Sequence, residues 1–203
     1  MQGIAQLPAF LLAATLVIVV PGPATLYVAG RARHSARSGF SAVLGIVVGD
    51  ILLITVSGLG FATLVAQWPR LLDVMKFGGG LYIAYLALEL LMPQPSPGQV
   101  AHGTPPAGGF AKALLLTLSN PKPILFFSAF FPGFIDHSAP SAMCSFYLLG
   151  ALFEAINLVY FAALIVLVGR LRQSRHFGSV AGVHLQRLSG IGLLLCSAFV
   201  LLS

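Results

Sequence analysis

The chain has 203 residues, 58% of them hydrophobic and only 8% charged, against about 25% charged in a typical soluble domain; with a mean hydropathy of +0.95, a water-soluble fold is excluded. Eleven Lys and Arg against five Asp and Glu give a formal charge of +6, but the basic residues gather in two connecting segments without interleaved aromatics, which argues against a nucleic-acid surface. The length suits about six membrane-spanning helices of roughly 20–25 residues with short loops, and leaves no chain for an extramembrane catalytic domain.

The first apolar stretch runs from Gln6 to Gly30 and is interrupted by Pro21-Gly22-Pro23. No Lys or Arg precedes Arg31, so the basic start of a cleavable signal is missing and the stretch reads as a retained span. Arg31, Arg33 and Arg37 follow it. The second stretch, Gly39 to Ala66, carries Asp50 and the pair Gly45-x-x-x-Gly49, a spacing of small residues that permits close helix packing. Trp68, Pro69 and Arg70 mark an interfacial turn. The third stretch, Leu71 to Met92, contains Gly78-Gly79-Gly80, with Lys76 and Glu89 towards opposite ends, where long side chains snorkel. Pro93 to Gly109 is rich in Pro and Gly, has no Lys, Arg, Asp or Glu, and reads as a linker between two repeats, residues 1–92 and 110–203. The fourth stretch, Phe110 to Ile135, is interrupted by Asn120-Pro121-Lys122-Pro123. The fifth, Ala142 to Gly169, holds Glu154 and Asn157. Arg170, Arg172, Arg175 and Arg187 cluster around the connection to the sixth, Leu185 to Leu202.

Long uninterrupted apolar runs satisfy their backbone in lipid only as helices; barrel strands would be shorter and alternating. The expected fold is therefore all-α: a polytopic membrane protein with six transmembrane helices. Three helices per half is an odd number, so the halves enter the membrane in opposite senses, as an inverted 3+3 repeat. Seven of the eight arginines lie in loops 1–2 and 5–6, loop 2–3 holds Arg70, and loop 4–5 carries Asp136. The positive-inside rule then places the Arg loops in the cytoplasm and both termini outside, in the periplasm of a bacterium.

The halves match at their unusual positions. Pro21-Gly22-Pro23 and Pro121-Lys122-Pro123 are offset by 100, and Asp50 and Glu154 by 104. Proline in mid-span removes a backbone donor, and the freed carbonyls must face protein or a wet cavity. Two breaks at one depth can converge on one polar chamber. A carboxyl near the bilayer centre protonates, pairs or faces water, which makes Asp50 and Glu154 candidates for proton coupling. A structural ion pair with Lys122 is the alternative. Asn157, one turn past Glu154, is expected to face the same chamber.

Four segments are similar to the lysine-exporter superfamily, nearest its homoserine/threonine-exporter branch (LysE/RhtB-type amino-acid efflux translocators). They are Pro21-Gly22-Pro23-Ala24-Thr25 with the basic loop to Arg37 and Gly39, Gly45 to Asp50, Lys76 to Leu86, and Asn120-Pro121-Lys122-Pro123 continuing to Ile135. Arg187-Leu188-Ser189-Gly190 onward is also alike. The resemblance implies a six-helix exporter of amino acids or close derivatives in a bacterial inner membrane, driven by protons. It marks Pro21, Gly22, Pro23, Asp50, Asn120, Pro121 and Lys122; the role of Glu154 rests on the internal symmetry alone. For the amino-acid zwitterion that this resemblance implies, the candidate substrate-binding set is Pro21, Gly22, Pro23, Asn120, Pro121, Lys122 and Asn157: Lys122 and amide N–H groups after the breaks would hold its carboxylate, and Asp50, Glu154 and freed carbonyls its ammonium.

The expected function is secondary-active proton/substrate antiport. A cation exporter or passive channel on a related scaffold is the alternative. No Walker A pattern is present. No enzyme chemistry, metal site or cofactor is expected: the acids are single, and His34, His176 and His184 lack ligand spacing on a helix. Cys144 and Cys196 form no C-x-x-C and read as small apolar residues. The expected partners are an amino acid, protons and membrane lipid, with homo-oligomerisation left open.

Overall fold

The computed structural model describes residues 3–4, 6–67, 108–136 and 142–171, with single positions scattered through 74–92 and 191–198. The third and sixth apolar stretches, the linker, Lys76, Glu89 and Cys196 lie largely or wholly outside the described residues. The architecture among the described residues is helical: α1 (Leu7–Val19), α2 (Pro23–Ala32), α3 (Ala36–Gln67), α4 (Gly109–Leu118), α5 (Pro121–Leu125) and α6 (Ala142–Leu171). A π-helical turn at Phe126–Phe130 and a 3-10 turn at Phe131–Phe134 continue α5.

Residues before proline are pushed out of the α region by the clash with its ring. Val20 (ψ 116°) and Gly22 (φ −119°, ψ −173°) are extended, so α1 stops and α2 restarts with Pro23 in its first turn. Asn120 (φ −85°, ψ 120°) does the same before Pro121. Pro23, Pro121 and Pro123 then sit where backbone N–H groups have no helical partner anyway, so these prolines start helices at no hydrogen-bond cost. The axes bend by 57° at the first break and 50° at the second.

Among the described residues two helices are long and apolar enough to cross a membrane, Ala36–Phe61 and Ala142–Arg170, and each bent pair qualifies when taken as one broken span. The outer faces of α3 and α6 fit that setting: Leu44, Ile51, Val56, Leu158, Val159 and Val166 are exposed, while Asp50, Glu154 and Asn157 are buried. This is the reverse of a water-soluble helix.

The interior has two apolar clusters. The larger is aromatic and gathers α1, the Phe126–Phe134 segment and α6. Phe126 stacks on Phe130 at 4.9 Å and packs against Phe153 at 5.3 Å, and Phe10 meets Phe131 edge-on at 5.2 Å. Such pairs contribute about 0.5–1.5 kcal/mol each beyond the area they bury. Ile4 bridges Ile135 at the edge of this cluster, and the Asp136 N–H donates to the Gly3 carbonyl. The smaller cluster joins α2, α3, α4 and α6 around Val28, Ile46, Phe161 and Ile165.

Between α3 and α4 the backbones nearly touch. A Cβ on Gly45 would collide with the Phe110 carbonyl and lie 2.9 Å from the Ala113 Cβ, and one on Gly49 would lie 2.8 Å from the Thr117 Cβ. Gly45-x-x-x-Gly49 thus faces Ala113-x-x-x-Thr117, small residues against small, as the spacing predicts. Gly45→Ala is therefore expected to destabilise the detergent-solubilised protein by about 1–3 kcal/mol, the usual cost of overpacking. Gly60→Ala, with nothing within 4 Å, serves as the control and should leave the unfolding midpoint unchanged or raise it. Equal midpoints for the two variants would contradict the close approach.

Candidate functional site

The two breaks meet. In a continuous helix the Val20 carbonyl would accept from the residue four ahead; the break removes that donor. Lys122, from the other half, supplies one: its Nζ donates to the Val20 carbonyl at 3.2 Å. Gly22 lies alongside, its Cβ direction 3.9 Å from the same Nζ. Gly22 and Lys122 are the middle residues of the two Pro-x-Pro triplets, so equivalent points of the halves touch. Asn120 caps the second break by accepting the Lys122 backbone N–H on Oδ1 at 3.0 Å, which fixes the stem of the lysine.

One turn further in, the middles of the two long helices face each other. Asn157 Nδ2 donates to Asp50 Oδ2 at 3.2 Å, and both side chains are 4% exposed. Glu154, one turn before Asn157 on α6, is buried as well. Neither Glu154 oxygen reaches hydrogen-bond geometry with a described residue. The Thr117 hydroxyl is likewise buried with no described hydrogen-bond partner.

Gly22, Asp50, Thr117, Asn120, Lys122 and Asn157 border one cavity of about 70 Å³, room for on the order of five water molecules. Its polar walls are Thr25, Asp50, Thr117, Asn120, Lys122 and Asn157; its apolar walls include Val17, Ile18, Ile46, Phe126, Phe153 and Phe161. Of the residues singled out from the sequence, Gly22, Asp50, Asn120, Lys122 and Asn157 border it. Pro21, Pro23 and Pro121 shape the breaks and are not among the wall residues. Glu154 also stays behind the wall, because residues three apart on a helix differ by about 60° in direction, and Asn157 takes the inward place. The Val20 carbonyl, one of those freed at the first break, is taken by Lys122.

Sequence reasoning did not pick out Thr117, Ile46, Phe153 or Phe161 as wall residues. A signal existed for three of them. Phe153 and Phe161 flank Asn157 at i−4 and i+4, and Ile46 precedes Asp50 by four, so they share a helix face with a polar residue already chosen. Thr117 carries no such mark in an apolar run.

Chemically, the cavity has one cationic side chain and one carboxyl on its walls among the described residues, with amide and hydroxyl groups between them. That arrangement suits a small dipolar solute. No group of three or more His, Cys, Asp or Glu able to hold a metal ion occurs among the described residues.

Residues 15–203 match the family model described as LysE type translocator. A leucine efflux protein of Salmonella typhimurium is 34% identical over 168 residues, covering 81% of this chain and 79% of that protein. A leucine efflux protein of Klebsiella pneumoniae is 32% identical over 168 residues, with the same coverage. An uncharacterized membrane protein of Pseudomonas aeruginosa is 34% identical over 196 residues, 89% of this chain and 90% of that protein. No solved structure matches the chain.

Proposed function

Because the chain belongs to the LysE type translocator family, a family of transporters and not of enzymes, we propose that it is a secondary-active exporter of an amino acid or close derivative, exchanging substrate for protons across a bacterial inner membrane. The observation that carries this reading is the cavity at the meeting point of the two helix breaks, with Lys122 and Asp50 both on its walls. A zwitterion needs opposite charges within one small space, and here they are set by different halves of the chain.

In the proposed cycle, the substrate carboxylate is held by Lys122, Asn120 and the first-turn amides of α2, where the helix dipole favours a negative charge. Its ammonium is held by Asp50. Asn157 orients the Asp50 carboxylate. A proton arriving at Asp50 from outside neutralises it, loosens the ammonium and releases the substrate outward. Rocking of the halves then lets that proton leave inward. Glu154, buried with no hydrogen-bond partner among the described residues, is assigned as a second proton-holding group behind Asp50. The rocking bodies are two inverted three-helix repeats, residues 1–92 and 110–203, joined by the linker. Both termini are assigned to the periplasm, as the arginine-rich loops support.

The leucine efflux relatives put leucine first in the screen that tests this. Cells preloaded with labelled amino acids are expected to lose at least one of them faster when the protein is expressed, and a protonophore, by collapsing the proton gradient, should remove most of the difference. Expression-dependent efflux of cadmium or another ion, without competition by amino acids, would instead support a cation exporter or channel.

A further inference from the structure

Along α3, α6 and the segment that starts at α5, a polar wall residue and an apolar one are separated by a single turn. Lys122 is followed by Phe126, and Asn157 is preceded by Phe153. Four residues of helix rise about 6 Å, so the polar groups form one thin layer. Val17 and Ile18, in the last turn before the first break, belong to the same apolar cluster as Phe126 and Phe153. Three elements thus converge on one flank of the polar layer, with Phe126 and Phe153 in ring contact at 5.3 Å. The opposite flank has Ile46 and Phe161, which belong to the other cluster.

A bound zwitterion uses both charged wall residues, Lys122 for its carboxylate and Asp50 for its ammonium. Among the described residues the walls then hold no further charged side chain to meet a substrate side chain. A charged side chain placed against Phe126 and Phe153 would lose its hydration without gaining a partner, whereas an aliphatic one is favoured by each methylene it removes from water.

We propose that Val17, Ile18, Phe126 and Phe153 form the side-chain subsite of this cavity, and that it selects neutral amino acids with apolar side chains of limited size. The inference rests on the transport reading above and deepens it. It assigns Phe153 and Ile18 as specificity-determining residues: one closes the subsite from α6, the other from α1. Removing ring volume at Phe153 opens room for larger side chains, and adding a ring at Ile18 takes room away.

The test is counterflow in proteoliposomes, with leucine, phenylalanine, alanine, threonine, lysine and aspartate each offered as competitor to the carried amino acid. For the unaltered protein, leucine is expected to compete at least tenfold more strongly than lysine or aspartate. Phe153→Ala is expected to raise the phenylalanine-to-leucine preference at least tenfold. Ile18→Phe is expected to lower the leucine-to-alanine preference by a similar factor. Monodisperse elution in detergent checks that each variant folds. If one variant fails to fold, the other and the unaltered protein's own ranking still decide. Preferred competition by lysine or aspartate, or variants that change all rates without changing the ranking, overturns the subsite and leaves amino-acid transport standing. Counterflow of no amino acid at all overturns the transport reading itself.

Discussion

Asp50→Asn is expected to abolish proton-driven export while leaving the protein folded. The substitution keeps the shape of the side chain and an oxygen that can accept from Asn157 Nδ2, the contact seen at 3.2 Å. It removes the ability to carry a charge and to take up a proton. In proteoliposomes with an imposed pH gradient, the unaltered protein is expected to drive substrate uphill, and the variant to let it equilibrate at best. Substrate affinity should also fall, because losing one member of a desolvated charge pair costs about 2–5 kcal/mol. The variant should still elute as a single species, since a buried amide is easier to accommodate than a buried carboxylate. Unchanged uphill transport by Asp50→Asn would remove Asp50 from the coupling mechanism and with it the proposed order of events.

Lys122→Ala carries the second large effect, and two consequences are separable. The ammonium that caps the Val20 carbonyl is lost, leaving a part-buried acceptor short of a donor at a cost of about 1 kcal/mol of stability. If Lys122 also holds the substrate carboxylate, affinity drops by the same 2–5 kcal/mol range, or roughly thirtyfold and more. Lys122→Arg separates the two: it keeps the charge and the donors in a larger, planar head. It is expected to recover part of the stability and part of the affinity. Substrate binding measured on detergent-purified protein, beside its thermal midpoint, distinguishes the cases. A folded Lys122→Ala protein that binds substrate as tightly as the original would make Lys122 a structural latch between the halves and no more.

Both experiments bear on the same structural fact: the two breaks are not independent kinks. The first leaves a carbonyl without its helical donor, and the second delivers a lysine to it. Glycine in the middle of the first triplet gives that lysine an open path, while lysine in the middle of the second fills the space between. The triplets are equivalent in sequence position and unlike in residue, and that inequality gives the cavity its polarity.

Much of this was legible in the residues. The prolines fixed where α1 and α4 end, because the residue before a proline is driven to extended backbone whatever surrounds it. Gly45 and Gly49 announced a close helix contact, and the contact with Ala113 and Thr117 is there. Asp50 and Asn157 stood out because polar groups in apolar runs are rare. The same contrast marked Glu154, yet its carboxyl lies outside the cavity wall. Composition identifies a buried carboxyl but not the direction it faces, which depends on how α6 is rotated against α3.

The sequence by itself determined the helical class, the membrane-compatible surface, the places where two helices break and the rarity of charge within them. Each of these follows from local physics: backbone sterics, proline's missing donor and the cost of polar groups in hydrocarbon. Only the packed fold settles that Lys122 crosses to Val20, that Asn157 rather than Glu154 meets the cavity, and that Phe126 joins its wall. Those outcomes depend on the azimuth of each helix and on which aromatic rings interlock. Contacts between residues about a hundred positions apart set both, and no local pattern encodes them.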